Sequence, residues 1–122
     1  MKFANSIFVR GQIPVINKLI EQPLEIAEAY KLVKFAKSLS ENEASFNKAR
    51  LRVYEKYGKQ REDGNWEIKG KKNQEKATVE MDTLLDIEED YELESKIVIP
   101  SDIKLSAAEL MLLDGIIEIP SK

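Results

Sequence analysis

An apolar stripe with a seven-residue spacing is the strongest constraint on how this chain can fold. The repeat consists of four residues that stand seven apart: Leu32, Leu39, Phe46 and Val53. Apolar residues also stand at half-heptad positions next to members of this repeat: Phe35, Ala36, Ala49 and Tyr57. Such a repeat places the apolar side chains on one face of a single helix. The sequence therefore predicts a long amphipathic helix over residues 24–57, whose apolar face needs a covering layer.

One segment inside this helix, from Ser38 to Asn42, carries a signal for a break. Ser40 and Glu43 have the spacing of a capping box, which often starts a new helix. The heptad register before the segment nevertheless stays in phase with the register after it, and an inserted turn would normally destroy that phase. We therefore expect a continuous helix or a mildly kinked one, with Pro23 in its first turn.

Shorter elements are predicted on the amino-terminal side of the long helix and at its end. Residues 2–9 favour a strand, and residues 13–21 have the apolar spacing of a short helix. Gly58 follows the long helix as a helix-ending glycine. The Asp-Gly reversal inside residues 61–69, where Trp66 alternates with polar neighbours, then predicts a small β-ribbon.

The carboxyl-terminal third supplies a second helix and a closing cap. Residues 74–90 have the pattern of an amphipathic helix for which Asn73 is a good N-cap. Residues 96–100 read as a strand stopped by proline. A second capping-box spacing starts a final short helix at Ser106, and residues 116–119 close the chain as a strand or extended tail.

Together these patterns predict one domain that is mainly α with minor β (α+β). A chain of 122 residues can bury one core but not two. The expected architecture is a long-helix αα-hairpin with a β-ribbon at its turn, plus short terminal strands and a short C-terminal helix. Residues 1–22 form its N-terminal strand and short helix, residues 23–95 the hairpin with ribbon, and residues 96–122 a C-terminal strand and helix cap.

The composition removes the commonest catalytic side chains. The chain has no histidine and no cysteine, which excludes the usual general base, the usual nucleophilic thiol and most transition-metal sites. We therefore expect a non-enzymatic protein without a cofactor. The net charge of −3 argues against nucleic acid as a partner. No signal peptide or membrane-spanning run is recognisable, so we expect a cytoplasmic protein that does not enter membranes.

Two charged clusters are candidate sites. The acidic cluster contains seven carboxylates: Asp82, Asp86, Glu88, Glu89, Asp90, Glu92 and Glu94. They lack the glycine-punctuated loop of a calcium site and the aromatic pocket that an acid and base pair requires, so a solvated helix face is expected. The basic cluster contains five cations around the ribbon: Lys59, Arg61, Lys69, Lys71 and Lys72. Such a cluster could contact a polyanion, although lysines at a loop tip usually serve solubility.

The candidate interaction residues follow from the uncovered stripe and from the ribbon. The second helix is about half as long as the first, so Leu32, Phe35 and Leu39 need another cover. Either the terminal segments bury them, through residues such as Ile7, Ile97, Ile99 and Leu110, or another protomer does. We favour the second alternative, a homo-oligomer, because soluble monomers rarely leave such patches bare. Arg50 joins the set because Arg is enriched at interface hot spots, and Trp66 joins it because it lies beside the basic cluster at the ribbon.

The order of these elements resembles small proteins of tailed bacteriophages and prophages. The resemblance covers about residues 24–118 and is carried by the helix end at residues 50–58, the turn at residues 62–65, the acidic helix and the cap at residues 105–110. Those proteins are mostly of unknown function, and some are encoded near tail genes. The resemblance implies a phage or prophage origin. The heptad stripe adds the expectation of a virion assembly or accessory factor that acts by protein–protein interaction, in the host cytoplasm or with the virion. The alternative is a phage inhibitor that binds a host or defence protein through its acidic face.

Overall fold

The computed structural model describes residues 1–119, and within that range the fold is mainly α with minor β, as the sequence predicts. The helices are α1 (Gln12–Ile20), α2 (Ile26–Tyr57), α3 (Lys71–Asp86) and α4 (Ala107–Leu112). The strands are β1 (Lys2–Ala4), β2 (Lys59–Gln60), β3 (Trp66–Glu67), β4 (Glu88–Asp90), β5 (Ile97–Val98) and β6 (Ile117–Glu118). The last three residues of the expected C-terminal segment 96–122 lie outside the described residues.

The long helix α2 is continuous, which confirms the prediction from the heptad register. Its 32 residues run through Ser38–Asn42 without interruption, so the capping-box spacing there starts no new helix. The expected position of Pro23 in the first turn was wrong. The helix begins at Ile26, after Glu25 in an extended conformation, because Leu24 packs against the core and holds the link from α1 extended.

The strands form three two-stranded sheets in residues 1–119. β1 pairs antiparallel with β4, β2 pairs antiparallel with β3 at the turn of the hairpin, and β5 pairs in parallel with β6. The β-ribbon is therefore confirmed. The parallel pair joins two C-terminal segments through Ile97 and Ile117, and α4 lies in the connection between them. The capping box of Ser106 and Glu109 at the start of α4 is also confirmed.

Two boundaries differ from the sequence predictions around the first sheet. The expected strand over residues 2–9 ends at Ala4, because buried Asn5 begins a 3-10 turn. The expected helix over residues 74–90 ends at Asp86, and the acidic residues after it form β4. The reason is the same Asn5: its side chain donates to Leu84 O (3.0 Å) and its backbone N–H donates to Ile87 O (2.9 Å). These two hydrogen bonds hold the end of α3 against the N-terminal segment.

The start of α3 also differs from the prediction. The helix begins at Lys71 with Gly70 as its N-cap residue, so Asn73 lies in the first turn and does not cap it. The Asn73 side chain instead donates to Lys69 O (3.3 Å). Gly70 has a positive φ of 90°, a conformation that glycine adopts without strain, and this lets the chain enter the helix directly from the ribbon.

The core lies against the first half of α2. Leu32, Phe35 and Leu39 are fully buried there, under α1, the residues that follow β4, and the β5–β6 pair. The covering side chains include Ile7, Val15, Ile16, Leu19, Tyr91, Leu93, Ile97, Ile99, Leu113, Ile116 and Ile117. The sequence leaves two possible covers for the apolar stripe, the chain's own terminal segments or another protomer. In the structure the terminal segments of the same chain cover these residues.

The second half of α2 forms a different region, which we call the hairpin arm. It comprises residues 46–77: the end of α2, the ribbon and the start of α3. Phe46 and Ala77 are its only buried side chains, and neither belongs to the core cluster. Residues 47–76 contain no fully buried side chain. The arm is therefore held by half-buried pairs and not by a core of its own.

Two charged side chains of α2 anchor the C-terminal strand β5. The Glu28 carboxylate accepts the Val98 backbone N–H (2.9 Å), a group on the strand edge away from β6. Lys31 lies 2.9 Å from Glu28 and also donates to Ser95 Oγ and to Lys96 O (3.2 Å each). A strand edge that is satisfied in this way is closed to pairing with another strand.

The Glu28 carboxyl group should make this anchor sensitive to pH. Its hydrogen bond with Lys31 lowers the pKa of Glu28 below the ordinary value of 4.5, and the Val98 N–H adds to this effect while burial opposes it. A carboxyl whose pKa is lowered by folding stabilises the fold above its unfolded-state pKa. That contribution is lost as the pH falls through the lowered folded-state pKa.

We predict that Glu28→Gln lowers the melting temperature at neutral pH and flattens the loss of stability on acidification to about pH 3. Gln keeps an oxygen that can accept the Val98 N–H but has no charge for Lys31, so the change isolates the ion pair. Thermal melts followed by circular dichroism at both pH values measure the effect. Glu55→Gln, on an exposed part of α2, is the control, and an identical pH dependence of the two variants would contradict the prediction.

Candidate functional site

Three of the five candidate interaction residues are not on the surface. Leu32, Phe35 and Leu39 lie in the core of this chain, so the expectation that they face a partner is corrected. The physical reason is that the terminal segments, and not α3, cover this half of the long helix. A contact to another protein through these three side chains would require that cover to open.

The other two candidates, Arg50 and Trp66, lie on the hairpin arm and are half-buried. The Arg50 guanidinium stands 5.5 Å from the centre of the Phe46 ring, in a cation–π contact. The Trp66 indole stacks on the Tyr54 ring, with ring centres 6.2 Å apart and planes 13° apart. Tyr54 follows Arg50 by one turn of α2, so the two candidates belong to one region of the arm.

Gly58 determines how the ribbon is held against α2. A Cβ at this position would meet Glu67 O at 2.8 Å and Ile68 Cγ1 at 3.1 Å. Gly58 caps the end of α2, which confirms the sequence-based interpretation of it as a helix-ending glycine, although its φ of −132° is open to any residue. The glycine is needed because strand β3 passes directly over it. Its sequence signal alone does not distinguish these two roles.

A basic groove of about 480 Å³ opens beside the ribbon. Its lining includes four cations: Lys56, Lys59, Arg61 and Lys69. Two of them are neutralised, since Lys56 pairs with Glu80 (2.9 Å) and Arg61 with Glu67 (3.4 Å). The Lys56–Glu80 contact raises the pKa of Lys56, to which Tyr57 also contributes, and lowers the pKa of Glu80. Within residues 1–119, Lys59 and Lys69 form no ion pair.

The acidic cluster is split by the fold between a helix, a strand and the segment that follows it. Asp90 lies 3.6 Å from the amino group of Met1, and Glu92 lies 3.3 Å from Lys34. The remaining carboxylates of the cluster are exposed and form no ion pair in the part of the chain that the structure describes: Asp82, Asp86, Glu88, Glu89 and Glu94. No group of three or more acidic side chains within residues 1–119 is placed to hold a metal ion.

One apolar surface was missed by the sequence analysis. Ile26, Tyr30, Val33 and Leu51 are exposed on α2, on the side of the helix away from the core. The sequence contains these residues as a second heptad spacing, which is offset from the spacing of the core stripe. The core stripe is the stronger pattern, so the sequence analysis did not identify the second one.

Comparison with protein-family models, with curated proteins and with solved structures gave no match to this chain. None of the helices in residues 1–119 combines the length and apolar character that crossing a bilayer requires. The geometry of the arm and of the acidic face is therefore the basis for the functional proposals that follow.

We predict that Gly58→Ala displaces the ribbon before it affects the core. The added methyl group cannot fit beneath Glu67 O, so β3 and Trp66 must move, at a cost of ~1–3 kcal/mol. Trp66 is the single tryptophan, so its fluorescence reports the ribbon alone. A red-shifted emission at temperatures below the main melting transition is expected. Lys59→Ala is the control, and native emission from the Gly58→Ala protein would show that the ribbon does not need this close approach.

Proposed function

We propose that this chain is a non-enzymatic phage or prophage protein, an assembly or accessory factor that binds another protein through its hairpin arm. The observation that carries the proposal is that residues 47–76 contain no fully buried side chain. About a quarter of the chain thus contributes little to the core while it stays regular in structure. An ordered and exposed extension of this kind is suited to recognition.

The chemistry of the arm supports a protein as the partner. Trp, Tyr and Arg are the residues most enriched at interface hot spots, and Trp66, Tyr54 and Arg50 lie together on the arm. Their rings and guanidinium are already ordered by the Tyr54 stack and by the Phe46 contact. Binding would therefore immobilise little that is not already fixed, which favours affinity.

Few of the nearby cations are unpaired, so the same region is a weaker candidate for a nucleic-acid-binding site. Lys56 and Arg61 are neutralised by carboxylates, which leaves Lys59 and Lys69 as the groove's unpaired cations within residues 1–119. Phosphate binding depends on several cations acting together. A protein surface with a few complementary carboxylates fits this groove better.

A second candidate function rests on the acidic face. Five exposed carboxylates between Asp82 and Glu94 form no ion pair within the described range, and they extend from α3 across β4. Exposed carboxylates without a cation partner can bind the basic site of a host enzyme or defence protein by electrostatic complementarity. The chain would then be an inhibitor and not an assembly factor.

The proposal is tested in cells that carry the chain's own phage or prophage. We would replace Glu62, at the ribbon tip, by a photoreactive phenylalanine derivative and compare it with the same replacement at Asp102, an exposed residue outside the arm. We expect one specific cross-linked protein from the arm position and none from the control. Equal labelling at both positions would contradict binding through the arm.

A functional test uses the double variant Arg50→Ala and Trp66→Ala. Loss of two hot-spot side chains should weaken the complex by roughly 2 kcal/mol or more for each. We expect loss of the cross-link and at least a tenfold lower yield of infectious particles, with the far-ultraviolet circular dichroism of a folded protein. A normal yield would contradict the assembly role. A complex that survives this variant but dissociates at about 0.5 M salt would favour the acidic face.

A further inference from the structure

A small pocket lies where the middle of α2, the end of α3 and the first sheet meet. Its volume is about 150 Å³. Seven residues line it: Asn5, Asn42, Ser45, Phe46, Leu84, Ile87 and Glu89. Pockets for drug-sized ligands enclose about 300–1,000 Å³, so this one fits a single chemical group and the stem that carries it.

The alternation of side chains along β4 places Glu89 at the mouth of this pocket. Ile87, Glu89 and Tyr91 share one face of the sheet, because successive side chains of a strand point to opposite faces. Phe3, which pairs with Glu89, packs from this face against the core of α2. Glu88 lies on the other face. The Glu89 side chain is exposed and forms no ion pair within the described residues, so its charge is available to a ligand.

The polar groups deeper in the pocket can act as hydrogen-bond acceptors. The buried Asn5 side chain uses its Nδ2 to donate to Leu84 O (3.0 Å), which leaves its Oδ1 as an acceptor. Asn42 and Ser45 add an amide oxygen and a hydroxyl from α2. No lysine or arginine lines the pocket within residues 1–119. The lining therefore favours a ligand that is positively charged and rich in donors.

Tyr91 adds a buried hydroxyl behind the Asn42 side chain. Only 4% of Tyr91 is exposed, and its hydroxyl oxygen forms no hydrogen bond in the part of the chain that the structure describes. Its ring packs on Phe35 (5.5 Å between ring centres), and Asn42 follows Phe35 by two turns of α2. Burial raises the pKa of Tyr91, and the neighbouring Asn42 side chain opposes that rise. A donor that reaches this hydroxyl gains a hydrogen bond in a buried position, where such bonds are strong.

We propose that the pocket binds the guanidinium group of an arginine side chain that a partner protein supplies. A guanidinium has five N–H donors and no acceptor, which matches a carboxylate at the mouth and acceptors on the floor. The apolar lining from Phe46, Leu84 and Ile87 is suited to the methylene stem. The pocket offers no cation for the carboxylate of a free arginine, so the guanidinium arrives at the end of a protein side chain.

This inference goes beyond the function proposed for the hairpin arm. Neither Arg50 nor Trp66 lines the pocket, so either proposal can fail while the other holds. An arginine anchor would give the acidic side of the molecule a specific contact, because a buried arginine can dominate the energy of an interface.

The test is a titration of the full chain with N-acetyl-arginine amide, followed by nuclear magnetic resonance of the backbone and side-chain amides. We expect saturable shifts at Asn5, Asn42 and Ser45, with a dissociation constant on the order of 1 mM for a ligand of this size. N-acetyl-citrulline amide has nearly the same shape but a neutral end group, so it should bind about tenfold more weakly or not at all. Shifts spread over all the exposed carboxylates, or equal binding of the two ligands, would overturn the proposal.

The source of the guanidinium is tested with a pentapeptide that has arginine between pairs of glycines. It should bind at least as tightly as the blocked amino acid, and free L-arginine should bind more weakly than both. The reason is that only the end of the side chain enters the pocket. Tighter binding of free L-arginine would show a site for a small molecule and would contradict the assignment to a partner protein.

Three variants test the residues of the pocket in the same titration. Glu89→Gln should weaken binding about fivefold or more, because it removes the charge at the mouth. Glu88→Gln is the matched control, since this exposed neighbour points away from the pocket, and it should leave the affinity unchanged. Tyr91→Phe keeps the ring in the core and removes only the hydroxyl, so it should weaken binding about threefold without lowering the melting temperature. Equal affinities of the two glutamine variants, or full affinity of Tyr91→Phe, would overturn the proposed site.

Discussion

An aromatic cluster formed by Phe3, Phe35 and Tyr91 joins three distant parts of the chain. Phe35 lies on the long helix, Phe3 on the first strand and Tyr91 directly after the strand that pairs with it. The ring centres of Phe35 lie 5.4 Å from Phe3 and 5.5 Å from Tyr91. Aromatic contacts at this range contribute about 0.5–1.5 kcal/mol each beyond the area that they bury. This contact holds the β1–β4 pair against α2, and the hydrogen bonds of Asn5, directly after β1, hold the end of α3.

The position of this cluster accounts for the two regions of the long helix. The terminal segments are drawn to the first half of α2, where Leu32, Phe35 and Leu39 are buried. The second half then packs mainly against α3 and the ribbon, and a helix of 16 residues with a two-stranded ribbon cannot enclose it. The hairpin arm and the outer face of α2 remain exposed for that reason. The surface of the arm, which we assign to a partner, is therefore exposed because of where the core lies.

Much of the architecture could be predicted from the sequence because it follows from local periodicity and turn chemistry. The heptad of Leu32 and Leu39 defines the long helix, and Asp63-Gly64 defines the ribbon. The position of β4 could not be predicted, because Glu88–Asp90 becomes a strand only through pairing with β1, more than eighty residues earlier. The hydrogen bonds of Asn5 that end α3 are equally remote in sequence.

The candidate interaction residues illustrate the same limit. A heptad stripe shows that side chains will be buried but not what buries them, so Leu32, Phe35 and Leu39 were assigned to a partner when the chain's own ends cover them. Arg50 and Trp66 are candidates on residue type and sequence position, because the sequence does not show the Tyr54 stack that orders the indole. The apolar residues Ile26, Tyr30, Val33 and Leu51 can be read in the sequence, but only the burial pattern shows that they are exposed.

Native-state hydrogen exchange along α2 tests the central claim most directly, namely that the core supports one half of the helix and the arm is held by it. Amides around Phe35 should exchange only through global unfolding. Amides of residues 47–57, and those of the ribbon and the start of α3, should exchange through a local opening of lower free energy. Uniform protection from Leu32 to Tyr57 would contradict the account, because it would mean that the arm is as firmly packed as the core.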